Sequence, residues 1–79
     1  MRVKYVKTKD NEIIVFSELL QHSEFRGFEP VSAGFISIGA TGKHEPTISC
    51  YGKSISLDLP SDPEVDSELA RKQILGYDY

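Results

Sequence analysis

Two places in this 79-residue chain imitate a phosphate-binding loop. That motif needs a glycine, four residues, then Gly-Lys-Ser/Thr between a strand and a helix, so that backbone amides and the helix end surround phosphate. Gly52-Lys53-Ser54 supplies the final triplet, but Thr47 stands at the first glycine position and another strand pattern follows. Gly42-Lys43 is followed by His44 and preceded by Ser37 where glycine is required. His22, His44 and Cys50 are the only imidazoles and thiol, and their spacing matches no zinc finger or helical ligand pair. Cys50 alternates with Ile48, so it is expected on an inward strand face, where an apolar setting keeps a thiol inert. No catalytic residue, metal site or cofactor is therefore expected.

The remaining chemistry is recognition. In Thr47–Leu59, a two-residue turn at Gly52-Lys53 sets Cys50 against Ile55 and Ile48 against Leu57 on one side of a hairpin. Thr47, Ser49 and Tyr51 then face Asp58, Ser56 and Ser54 on the other side. This hydroxyl-rich face is either a plain solvated sheet surface or a flat recognition surface with Tyr51 as its rigid amphipathic anchor. The binding residues expected are Tyr51, Ser49, Ser54 and Ser56, joined by Lys43 and His44 from the loop Gly39 to Pro46.

Several elements must position that face. Val3–Lys7 and Glu12–Phe16 read as a first hairpin around Lys9-Asp10-Asn11. Ile13–Phe16 is apolar on both faces, which predicts a central strand or one covered on its second side. The basic Arg2–Lys9 strand is expected at an edge, where lysines discourage unwanted pairing. Ser17 can cap a short helix from Glu18 to about Ser23 with Leu19 and Leu20 inward, and Phe25 and Phe28 are expected core plugs. Val31–Ile38 is a third strand whose Ala33 and Gly34 leave room for a close neighbour. Either Ser61 with Glu64 at capping-box spacing, or Asp62 as cap with Pro63 at the first helical position, opens a C-terminal helix to about Leu75, ended by Gly76, with Val65, Leu69 and Ala70 as the better part of its apolar stripe.

The fold class that follows is α+β in one domain spanning residues 1–79. It comprises an antiparallel sheet of about five strands, open or curled to a half-barrel, a short helix after strand two and a C-terminal helix packed on the sheet. A β-grasp-like arrangement is the rival.

A chain of this size buries roughly 60 to 65% of its unfolded surface and has a stability of about 5 kcal/mol. Such a core has little to spare for a dry catalytic cleft, which favours a binding surface over an enzyme. The net charge of −3 is unevenly placed. Arg2, Lys4, Lys7 and Lys9 open the chain without an acid among them, whereas residues 58–79 hold Asp58, Asp62, Glu64, Asp66, Glu68 and Asp78 against Arg71 and Lys72. The expected outcome is internal pairing of the two ends, not a nucleic-acid patch. One cysteine, no apolar signal run and no span-length apolar run lead to the expectation of a soluble, cytoplasmic protein without membrane contact.

Phe16–Phe25, Pro30–Phe35 and Cys50–Ile74, read as FSELLQHSEF, PVSAGF and CYGKSISLDLPSDPEVDSELARKQI, resemble segments of small uncharacterised bacterial and phage-encoded proteins. The resemblance covers over half the chain and brings no assigned activity, so it transfers no functional residue. The function expected is a protein-binding or regulatory module. A phage-type inhibitor of a host enzyme or defence complex, suggested by the resemblance alone, and a small-molecule or enzymatic role are the alternatives.

Overall fold

The computed structural model describes residues 2–39 and 47–76. In chain order it contains β1 (Arg2–Thr8), β2 (Ile13–Ser17), a 3-10 helix (His22–Phe28), β3 (Pro30–Gly39), β4 (Thr47–Tyr51), β5 (Lys53–Ser54), β6 (Leu59–Pro60) and α1 (Pro63–Leu75). The class is α+β. Its main sheet has four antiparallel strands in the order β2-β1-β3-β4, and β5 and β6 form a separate two-stranded ribbon.

β1 is central, which corrects the edge position expected from its lysines. Val3 and Tyr5 point to one side and Val6 to the other, so apolar cover is needed on both faces. That demand outweighs the edge preference of lysine. β1 places Tyr5 opposite both Val15 of β2 and Gly34 of β3. β2 is instead an edge strand, and its two-sided apolar pattern reflects cover on both faces, with Ile13 in one core cluster and Phe16 in the other.

The two clusters lie on opposite faces of the sheet. Tyr5, Ile13, Ile36, Ile48, Cys50 and Ala70 fill the space beneath α1. Val6, Phe16 and Ala33 are covered by Phe25 of the 3-10 helix and by Leu57 and Leu59 of the ribbon. Phe25 stacks on Phe16 with ring centroids 4.0 Å apart. Phe28, expected as a second plug, is 55% exposed.

The α-helix expected over Glu18 to about Ser23 does not form. The Ser17 hydroxyl accepts from the Leu19 amide at 3.1 Å, and the Ser17 carbonyl accepts from Leu20 at 3.0 Å. A serine bonded two residues ahead closes a tight turn and does not cap a helix. Leu19 is consequently 89% exposed, and helical structure begins only at His22, as a 3-10 segment.

The Gly52-Lys53 hairpin is likewise not formed. Gly52 has the left-handed φ of +78° that the turn requires, but β4 pairs with β3, Ile36 standing opposite Cys50, while β5 turns away to pair with β6. The chain reverses instead at Ile55–Asp58, where Asp58 takes φ +56° and its amide donates to the Ile55 carbonyl. Ile55 is therefore at a turn tip and 86% exposed, not in the core.

Helix α1 starts and stops where expected, with Pro63 in the first turn and Gly76 left-handed at φ +67°, its amide donating to the Lys72 carbonyl. Of the expected apolar stripe, Ala70 is in the core and Leu69 packs against it, but Val65 does not join them and polar residues complete the buried face. Asp66, Ser67 and Ala70 are buried, and Val65 is 45% exposed. Two polar residues of this helix reach the outer strands. The Gln73 side-chain amide accepts from the Ile13 amide at 2.9 Å and donates to the Ile13 carbonyl at 2.5 Å, on β2. Ser67 Oγ accepts from the Cys50 amide at 2.8 Å, on β4. The helix thus occupies backbone groups on both edges, which blunts pairing with another chain.

Candidate functional site

Two groups of residues have the composition of a functional site, and burial separates them. The first is under α1. Asp66 Oδ2 accepts hydrogen bonds from the Tyr5 hydroxyl, from Ser32 Oγ at 2.8 Å and from the Asp62 amide at 3.1 Å. The Lys7 ammonium lies 3.1 Å from Oδ1 but outside hydrogen-bond geometry, so that oxygen is stabilised by charge. Burial pushes the Asp66 carboxyl upward, but the bonds from Tyr5, the Asp62 amide and Ser32, together with the adjacent Lys7 ammonium, outweigh it and hold the group below its ordinary range. Burial raises the Tyr5 hydroxyl strongly, and its bond to Asp66 adds to that effect. Cys50 nearby is pushed up to about 11, chiefly by burial.

These are the perturbed groups expected of a catalytic centre, but Tyr5 and Asp66 are each 0% exposed. The cluster is an anchor. It ties the acidic helix to the basic first strand, so the two charged ends of the chain do pair at Lys7 and Asp66.

The second group lines a groove of about 530 Å³ on the opposite face of the sheet. Strand alternation puts Lys4 of β1, Phe35 of β3 and Tyr51 of β4 in one row, with Phe35 opposite Lys4 on one side and Tyr51 on the other. The 3-10 helix adds His22, and the ribbon adds Lys53, Ile55 and Ser56. Gly34 makes this arrangement possible, because a Cβ there would lie 2.3 Å from the Tyr51 carbonyl oxygen. Phe35 and Tyr51 rings stack at 5.9 Å, and His22 stands edge-on to both Phe16 and Phe35.

The polar atoms of the groove are defined. His22 Nε2 is 2.8 Å from the Gly34 carbonyl oxygen. A carbonyl only accepts, so Nε2 carries the proton and Nδ1 keeps its lone pair. Lys4 Nζ donates to the Leu20 carbonyl at 2.8 Å and retains two further donors.

Burial lowers the His22 pKa from its ordinary 6.5, the bond to Gly34 works against that, and the charge of Lys4 lowers it further. The folded imidazole therefore takes up a proton less readily than the unfolded one. Its contribution to stability is complete above 6.5 and is lost as pH falls through that value. The urea midpoint is expected to decline from pH 6.5 downward in the native chain, and His22→Phe should flatten that slope. An unchanged slope in the variant would assign the effect elsewhere.

The expected binding residues are distributed unevenly. Tyr51 is 40% exposed beside the groove, and exposed Ser49 lines the open surface between β4 and α1. Ser56 lines the groove. Ser54 is a correction: it is 1% exposed, and its hydroxyl accepts from the Leu57 amide at 3.1 Å, stabilising the Ile55–Asp58 turn. Lys43 and His44 lie outside the described residues. Lys4, His22, Phe35 and Ile55 were not anticipated as site residues, because the assumed hairpin sent Ile55 inward and the first strand was placed at an edge. The alternation of Lys4 against the core residues Val3 and Tyr5 was the available signal.

Comparison of the chain with protein-family models, with curated proteins and with solved structures finds no match.

Proposed function

We propose that the protein is a binding module, regulatory in kind, that engages a partner protein through the groove between the open sheet face and the ribbon. The observation that carries this is apolar and aromatic surface that the core leaves unused: Ile55 at 86% exposure and half-buried Phe35 line the concave space, and Tyr51, 40% exposed, stacks on Phe35 beside it. Aromatic anchors beside a concavity are the usual centre of binding energy. The buried Asp66 cluster favours the same reading, since the perturbed groups are spent on holding the fold.

The test places a photo-crosslinking amino acid at Ile55 and, as control, at Glu64 on α1, in the cell that makes the protein. Position 55 is expected to yield a defined adduct that position 64 does not. Tyr51→Ala should weaken the captured complex by about 2 kcal/mol, roughly thirtyfold. The melting temperature should change little, because Tyr51 is on an edge strand and points outward. Adducts of equal yield from both positions, or a Tyr51→Ala chain that captures the partner as well as the native one, would remove the groove from consideration.

A further inference from the structure

We infer that the groove receives an acidic, extended segment of the partner, with carboxylates meeting Lys4 and Lys53 and an apolar side chain resting against Phe35 and Ile55; this rests on the binding reading above. Among the described residues, the groove lining includes two ammonium groups and no carboxylate, in a chain whose net charge is −3. The contrast with the other side of the sheet is sharp. There, the open surface between β4 and α1 is lined by Glu64 and Glu68 with Arg71. The two ammonium groups are thus the charged groups that line the groove itself, and Asp58 lies on the neighbouring surface that shares Lys53 and Ile55 with it.

The chemistry of each wall narrows the occupant. Lys4 has two donors beyond its bond to Leu20 without a partner among the described residues, and Lys53 in the same lining is exposed. His22 Nδ1, the acceptor nitrogen left by the Nε2 bond to Gly34, is suited to a backbone N–H of an extended segment. Phe35 is already stacked by Tyr51 and closely packed by Gly52, where a Cβ would come within 3.0 Å of its ring. Its stacking argues against an inserted nucleobase, and the exposed Ile55 in the same lining suits an aliphatic side chain. Two cations also fall short of the phosphate contacts that give a nucleic acid useful affinity. A peptide alternating acidic and aliphatic residues matches all three features.

The experiment uses the full chain, isotopically labelled, titrated with a capped peptide of alternating glutamate and leucine. The same peptide with lysine for glutamate and a single-stranded oligothymidylate of equal charge are the comparison probes. The acidic peptide is expected to shift the resonances of Lys4, Phe35, Lys53 and Ile55 saturably, and to weaken as salt rises. Lys53→Glu should reduce its affinity roughly five- to tenfold, the scale of reversing one exposed charge contact, without changing the melting temperature. Lys4→Gln, with thermal unfolding as its folding control, should give a smaller loss. The proposal is overturned by equal binding of the lysine peptide, by tighter binding of the oligothymidylate, or by no shift at the groove. If the Ile55 crosslink captures a partner while the acidic peptide fails, the groove stands and the acidic occupant falls. If the crosslink is also absent, both fall.

Discussion

Asp66→Asn is expected to leave the chain largely unfolded at room temperature. The substitution removes the charge that faces the Lys7 ammonium at 3.1 Å, and Lys7 is itself only 8% exposed. It also weakens an acceptor that serves Tyr5, Ser32 and the Asp62 amide together. Breaking a buried ion pair from one side costs about 3 to 5 kcal/mol, because the surviving charge stays buried without compensation. A domain of this length has a total of about 5 kcal/mol, so the loss is comparable to the whole stability. Circular dichroism and urea unfolding measure it directly. The double variant Lys7→Met with Asp66→Asn should recover part of the loss, since it removes the orphaned ammonium as well. A single variant within about 1 kcal/mol of the native chain would contradict the role assigned to the cluster.

Gly34→Ala is the second large effect. The added methyl would lie 2.3 Å from the Tyr51 carbonyl oxygen and 3.3 Å from both the Gly52 carbonyl carbon and Ser61 Cβ. The closest of these is backbone, so relief requires β4 to move away from β3 at the Phe35–Tyr51 pair. Overpacking of this kind costs about 3 kcal/mol. The damage should concentrate on the groove, since Gly34 also provides the carbonyl that holds His22. Gly27→Ala is the control, because nothing lies within 4 Å of a Cβ there. Urea unfolding should separate the two variants, and amide spectra of Gly34→Ala should show the largest changes in residues 47–53. Equal stability of the two would mean that the sheet yields at β4 more easily than its packing indicates.

The same physics explains which readings of the residues the structure upheld. Local chemistry was reliable where one residue type has one cheap conformation. Pro63 and Gly76 bound the helix because a proline lacks the donor a first turn does not need and a glycine takes the left-handed φ without strain. Alternation in Thr47–Tyr51 correctly sorted Ile48 and Cys50 inward from Ser49 and Tyr51 outward, since a strand has only two faces. The room left by Gly34 was legible for the same reason.

Partner choice between strands was not legible. Gly52 has the φ of a hairpin turn, but a turn residue says only that the chain bends, and β4 gains more by pairing with β3 over five residues than by folding onto the short β5. That choice moved Ile55 from the expected core to an exposed tip, moved Ser54 from the surface to a buried turn, and thereby created the groove. The order of the sheet was equally a tertiary decision. Lysines in β1 suggested an edge, yet Asp66 of α1, about sixty residues away in sequence, neutralises Lys7 and lets the strand sit in the middle. Composition, caps and alternation are set by neighbours in the chain, so the sequence alone determined the α+β class, the helix limits and the outward face of Tyr51. Strand order, the buried Asp66 cluster and the assembly of Lys4, His22, Phe35, Lys53 and Ile55 depend on long-range pairing and burial, and only the tertiary structure decided them.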